Sequence, residues 1–112
     1  MVNGRFCHRL DASCEVVAGR ELPIDAPYNG LLILSDGNLV TRNLGFRADD
    51  RAGFVVLEPE RLRTVDRVEI AERCMARFSS DRSADQDYLY FTTPREVRRL
   101  IYRAQHLELD PD

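Results

Sequence analysis

Residues 31–42 read LLILSDGNLVTR, in which two apolar runs flank an Asp-Gly dipeptide, and they give the clearest local structural signal in the chain. Asp-Gly favours the positive φ angles that a tight hairpin turn requires. The flanking leucine, isoleucine and valine residues suit paired strands. We therefore predict an antiparallel β-hairpin with strands at 31–34 and 39–42.

The sequence on either side of this hairpin extends the β-pattern. The side chains of residues 5–10 alternate between the two faces of a predicted strand. Residues 14–22 are predicted to form a second strand, which ends before Pro23. The apolar run at 54–57 reads as a further strand, which Pro59 stops because proline cannot donate a ladder hydrogen bond. The first half of the chain therefore predicts an antiparallel β-meander of about five to six strands.

The second half of the chain changes period. Apolar residues recur every three or four positions over 62–78, which is typical of an amphipathic helix. A strand is predicted at 88–91, and Thr93-Pro94-Arg95-Glu96 then has the signature of a helix start, which predicts a second helix over 93–107. The expected fold class is α+β, with the β-meander followed by helix–strand–helix and both helices packed on one face of the sheet.

Length and composition set the class of protein. A chain of 112 residues with 44% hydrophobic residues is the size of one domain, which we assign to residues 1–112. It has no apolar run near the roughly 18 residues that cross a bilayer and no signal-peptide pattern at its start. Three cysteines at irregular spacing favour reduced thiols. We therefore expect a cytoplasmic protein.

Two of the predicted strands predict something about assembly. Residues 31–34 and 54–57 are apolar at consecutive positions, so both faces of these strands favour burial. Two helices cover one sheet face, which leaves the other face to a second copy of the chain, and we expect a homodimer. The alternatives are closure into a small barrel, or an open sheet face that forms a ligand pocket.

The sequence contains no recognisable catalytic, metal or cofactor motif. The metal-ligating candidates lack a Cys-x-x-Cys or His-x-x-x-His pair, and adjacent Cys7 and His8 point to opposite faces of a strand. Glu72 falls inside the apolar arc of the first predicted helix, where an ion pair with an arginine explains it better than acid–base catalysis. We therefore expect a non-enzymatic protein without metal or cofactor. The possible metal ligands are Cys7, His8, Cys14, Cys74 and His106.

One face of the second predicted helix is the candidate binding site. All sixteen basic residues of the chain are arginine, and the net charge is -3. Arginine and aromatic side chains suit recognition of carboxylate or phosphate groups, so we predict that this face binds an acidic protein surface, as in a regulator, inhibitor or assembly accessory. A nucleic-acid partner is one alternative, and a small enzyme or ligand-binding barrel is another. The predicted site residues are Arg95, Arg98, Arg99, Tyr102, Arg103 and His106.

Overall fold

A computed structural model describes residues 1–3, 6–22, 28–43, 52–70, 78–82 and 86–111, and these residues form eleven strands in three antiparallel sheets. The N-terminal sheet contains β1 (Val2–Asn3), β2 (Phe6–Leu10) and β3 (Val16–Glu21). The central sheet contains β4 (Tyr28–Ile33), β5 (Leu39–Asn43), β6 (Ala52–Leu57) and β7 (Thr64–Ile70). The C-terminal sheet contains β8 (Phe78–Arg82), β9 (Asp87–Thr92), β10 (Val97–Arg103) and β11 (His106–Leu109). The described residues contain no helix, so the α+β prediction is wrong.

The central sheet is the middle layer of the three. Phe54 and Val56 of β6 pack with the inward side chains of the C-terminal sheet, whereas Val55 and Leu57 pack with Cys7 and its neighbours in the N-terminal sheet. All four of these β6 side chains are completely buried. The apolar run at 54–57 is therefore covered on both faces by the chain's own outer sheets. Burial of this strand needs no second copy, so the reason for expecting a homodimer does not apply to it.

The hairpin predicted at 31–42 is confirmed. Strand β4 pairs with β5, and the connecting turn is closed by the Leu34 N–H, which donates to the Asn38 carbonyl at 2.8 Å. The Gly37 N–H donates to the Leu34 carbonyl at 2.9 Å, and Gly37 itself has φ +90°. Of the Asp-Gly pair only the glycine takes positive φ, which fits a type I turn followed by a left-handed residue.

The helix predicted over 62–78 is wrong where the structure describes it. Residues 64–70 form β7, which pairs with β6, and Phe78 begins β8; residues 71–77, with Glu72 and Cys74, lie outside the described part. The ladder between β6 and β7 has a bulge beside Val65. A bulge adds one residue and shifts the two-residue alternation. It brings Val65 onto the same core as Val68, so a strand imitates helical spacing.

The helix predicted over 93–107 is also wrong, and so is the description of its site as an arginine-rich helix. Thr93 Oγ1 accepts hydrogen bonds from the Arg95 and Glu96 N–H groups, each at 3.3 Å, as a helix cap would. Here, however, the Thr93 N–H donates to the Glu96 carbonyl at 2.9 Å and closes the turn between β9 and β10. The chain then reverses again between β10 and β11 at Ala104 and Gln105, whose φ angles are 52° and 63°.

No helix in the described residues is long and apolar enough to cross a membrane.

The outer layers differ from the central one in the exposure of their side chains. Large apolar side chains stand on their surfaces, among them Phe6 at 48%, Val16 at 59% and Val97 at 68%. Each outer sheet therefore has one packed face and one open face.

Candidate functional site

The open face of the C-terminal sheet carries a cluster of aromatic and arginine side chains. Strands β9 and β10 alternate, with Leu89, Phe91 and Leu100 directed into the core. The intervening residues point outward because successive strand residues face opposite sides. We call the outward set of these two strands the Tyr/Arg face. It consists of Tyr88, Tyr90, Thr92, Val97, Arg99, Ile101 and Arg103.

Arg99 is the centre of the Tyr/Arg face. Its guanidinium carbon lies 4.5 Å from the centroid of the Tyr88 ring, within the range of a cation–π contact. Its Nε donates to Asp110 Oδ2 at 2.6 Å, and one of its terminal nitrogens pairs with the same oxygen. Hydrogen bonds to Asp110 and then to Tyr90 raise the pKa of Arg99 above its ordinary value. Arg99 is therefore a permanent cation held between two tyrosines.

A concave site lies beside Arg99. Its volume is about 370 Å³, and its lining includes Tyr90, Val97, Arg98 and Asp110. Asp110 is anchored from two directions, because its N–H also donates to the Arg99 carbonyl at 2.9 Å. A preformed concavity with an aromatic wall, an apolar wall and a fixed cation suits a partner side chain that is partly apolar and partly charged.

The other residues predicted for the site are not on one face. Arg95 lies exposed in the β9–β10 turn, and Arg98 points away from Arg99 and is 3.6 Å from the Glu96 carboxylate. Arg103 is exposed and lies directly across the ladder from His106. The structure therefore brings Arg99, Arg103 and His106 to one surface and separates Arg95 from it, while Arg98 lines the concave site beside Arg99.

His106 is held at the edge of this surface by two carboxylates. Its Nδ1 is 3.0 Å from Asp66 Oδ2, and its Nε2 is 3.6 Å from Glu108. Asp66 Oδ2 also accepts the Leu107 N–H at 2.7 Å. Because Asp66 belongs to β7, these contacts join the edge of the central sheet to the edge of the C-terminal sheet. In the part of the chain that the structure describes, no three histidine, cysteine, aspartate or glutamate side chains form a cluster that could hold a metal ion.

Tyr102 is inside the protein rather than on the predicted binding surface. It is 3% exposed, its hydroxyl donates to Asp36 Oδ2 at 2.6 Å, and it accepts from Asn38 Nδ2 at 3.0 Å. Burial, together with the hydrogen bond to Asp36, raises the pKa of Tyr102 to about 12. Its cross-strand neighbour Asp87 is also fully buried and accepts from the Ser35 N–H at 2.7 Å. Both side chains fasten the β4–β5 turn to the C-terminal sheet.

Tyr88, Tyr90 and Asp110 are among the residues of this site that the sequence patterns did not identify. A two-residue alternation over 87–92 contains the signal for the tyrosines, since it places both on the side opposite Leu89 and Phe91. Asp110 had no such signal, because it depends on the pairing of β10 with β11.

A scan against protein-family models and a search of curated proteins give no match for this chain.

Proposed function

We propose that this chain is a non-enzymatic binding module that holds a macromolecular partner on the Tyr/Arg face. The supporting observation is the Arg99 cluster, in which a cation is fixed between Tyr88 and Tyr90 on a sheet face that no other layer of the described residues covers. Tyrosine and arginine are among the residue types most enriched at the energetic centres of protein interfaces. Side chains that are already held in their binding positions lose less conformational entropy when a partner binds.

The proposed partner is a protein segment that combines carboxylates with an apolar side chain. Arg103 is exposed and has no ion pair among the described residues, so it is available to a carboxylate. Val97 is 68% exposed, and Ile101 lies between Arg99 and Arg103 on the same face. The apolar pair supplies contact area, and Arg103 supplies charge selection.

Nucleic acid is the second candidate partner, because two tyrosines beside an arginine also form a stacking platform for bases. Several carboxylates reduce the attraction of phosphates. Asp110 pairs with Arg99, Glu108 lies across from Ile101, and Asp81 lies across from Tyr88. The free positive charge of the face is therefore small, which favours the protein partner.

The free cysteines of the described residues support a cytoplasmic location, which is part of the same proposal. Cys14 is a free and exposed thiol, and Cys7 is a free and buried one. Exposed thiols persist in compartments kept reducing. Dimerisation of this chain stays a prediction, which light scattering of the purified protein measures.

Selection of a displayed random-peptide library on the immobilised protein tests the proposal. We expect enriched peptides to be acidic with an aromatic or aliphatic residue, and Arg103→Glu to weaken them about thirtyfold, the effect of losing an interface centre. Arg67→Glu is the matched control, because Arg67 is exposed on β7 and the charge change is identical. Equal binding to both variants contradicts the proposed site.

The same two variants separate the nucleic-acid alternative. Fluorescence anisotropy with labelled oligothymidylate is measured at 50 and 200 mM salt. Phosphate contacts predict tight binding that falls steeply between these concentrations. We expect oligothymidylate to bind weakly at both concentrations and to compete poorly with the selected peptides. Strong, salt-sensitive binding that Arg103→Glu removes replaces the protein partner with nucleic acid.

A further inference from the structure

A second concave site lies on the other side of the molecule, between the N-terminal sheet and the central sheet. Its volume is about 390 Å³. Cys7 and Leu62 form its floor and are 1% and 2% exposed, so they belong to the core between the two sheets. Leu31, which is 37% exposed, and Leu39 stand on the wall supplied by β4 and β5. We call this site the Leu62 cleft.

The loop that carries Leu62 is built rigidly around one carboxylate. Glu58 accepts three backbone hydrogen bonds, from the N–H groups of Glu60 at 2.8 Å, Arg61 at 2.8 Å and Arg63 at 3.1 Å. The Leu62 N–H donates to the Glu58 carbonyl at 3.0 Å. These bonds hold Leu62 at φ +61°, a left-handed conformation that a bulky residue rarely adopts. Local strain of this kind concentrates at functional sites.

Most side chains that line the Leu62 cleft are apolar, and two are polar, Arg9 and His8; the N-terminal residue Met1 also lines it. Arg9 of β2 lines it, and Arg9 Nη1 donates to the Glu60 carbonyl at 3.3 Å. That carbonyl is a neutral acceptor, and within the described ranges Arg9 has no carboxylate partner. The guanidinium therefore keeps both its charge and several donors for a ligand, and a planar guanidinium matches a carboxylate in geometry.

We propose that the Leu62 cleft binds a small amphipathic carboxylate, with its apolar part against Leu31, Leu39 and Leu62 and its carboxylate on Arg9. The volume is within the range of pockets that hold small molecules, and the lining combines mostly apolar side chains with the polar side chains of Arg9 and His8. Burial of ligand methylenes against Leu31 removes an exposed apolar surface that water now contacts. This ligand site is separate from the Tyr/Arg face.

A chain-length series of free fatty acids is the first test. Hexanoate, octanoate and decanoate are titrated calorimetrically below their micelle concentrations. Each two added methylenes should tighten binding more than tenfold, since one buried methylene contributes about fourfold. Affinity that does not change with chain length overturns the proposal. Binding should also slow the alkylation of Cys7 but not of the exposed Cys14, which mass spectrometry of the digested protein resolves.

Two variants test the two parts of the site. Arg9→Gln should weaken octanoate about tenfold or more and leave 1-octanol unaffected, because a hydrogen bond to a charged group is lost. Leu31→Asp should remove both ligands, whereas Val97→Ser on the Tyr/Arg face should change neither. Arg9 and Leu31 are exposed enough for both variants to fold, which their thermal melts verify.

The source of the carboxylate is tested with a peptide and with membranes. A hexapeptide that ends in leucine with a free carboxylate should bind more weakly than octanoate, and vesicles of phosphatidylcholine should not compete. Tighter binding of the peptide, or depletion of the protein by the vesicles, overturns the assignment of a free small molecule. Loss of octanoate binding in Arg103→Glu overturns the Leu62 cleft as the binding site, because Arg103 lies on the separate Tyr/Arg face.

Discussion

The central sheet and the two outer sheets use their side chains differently. Strand β6 buries Phe54, Val55, Val56 and Leu57 completely, because it is covered on both faces. Strand β3 at the edge of the N-terminal sheet is exposed over most of its length. Interior packing therefore depends on the middle layer, and both candidate sites lie where an outer layer leaves a surface open. Substitutions in the two settings should differ in their effect on the free energy of unfolding.

The largest difference is expected between two phenylalanines. Phe54 is fully buried and its ring centroid is 5.1 Å from that of Phe91, whereas Phe6 is 48% exposed on the open face of the N-terminal sheet. Phe54→Ala should lower the free energy of unfolding by about 3–5 kcal/mol, through lost burial and a new cavity. Phe6→Ala should lower it by less than about 1 kcal/mol. Urea denaturation compares them, and equal losses contradict the layer arrangement.

A smaller effect is expected where the layers are joined by hydrogen bonds. Tyr102→Phe removes the bonds to Asp36 and Asn38 while keeping the ring, so we expect a loss of about 1–2 kcal/mol. The pKa of Tyr102 is raised to about 12 in the folded protein, so its contribution is complete below pH 10 and is lost as pH rises toward 12. Urea midpoints between pH 8 and 12 should fall more steeply in the wild type than in Tyr102→Phe. Parallel curves contradict the assignment.

The smallest effect is expected at the surface loop of the Leu62 cleft. Backbone hydrogen bonds, first from Arg63, lower the pKa of Glu58 below its ordinary value of 4.5. A lowered pKa means that the carboxylate stabilises the fold above about pH 4.5 and that this stabilisation is lost as the pH falls further. Glu58→Gln should therefore lower the melting temperature at pH 6 and flatten its decline toward pH 3.

Glu60→Gln is the matched control for that loop, because Glu60 joins it through its backbone N–H. Its melting temperatures should follow those of the wild type at both ends of this pH range. A Glu58→Gln protein that melts like the wild type at pH 6 shows that the three hydrogen bonds do not stabilise Leu62. It removes the argument that the cleft is preformed.

The local β-signals of the sequence were predictive, and the helical ones were not. The hairpin around Gly37 follows from turn chemistry that acts over four residues. The Thr93–Glu96 signature also formed its local hydrogen bonds, but in a turn, because the fate of the next residues depends on pairing with a distant strand. The bulge beside Val65 placed two core residues three positions apart, which is a spacing typical of a helix. Tertiary pairing overrides local propensity in such segments.

The candidate site was predictable only in part, for the same reason. Arg99, Arg103 and His106 share a surface in a helix and also in this hairpin, so their proximity did not depend on the fold class. Tyr102 was predicted on the surface from the 3.6-residue period of a helix, but it lies in the core because the segment is a strand with a two-residue period. Tyr88 became part of the site because β9 pairs with β10, a relation that residue spacing within one segment does not contain.

The order of the strands has a consequence for how the chain folds. In the described residues every hydrogen-bonded strand pair joins strands that are neighbours in sequence. Hairpins of this kind form in about 1–10 μs, and loop-closure entropy is small for each of them. The three sheets can therefore form separately, and the slow step is expected to be their stacking, which buries β6 from both sides. Kinetic studies should find turn substitutions to affect refolding less than substitutions in β6.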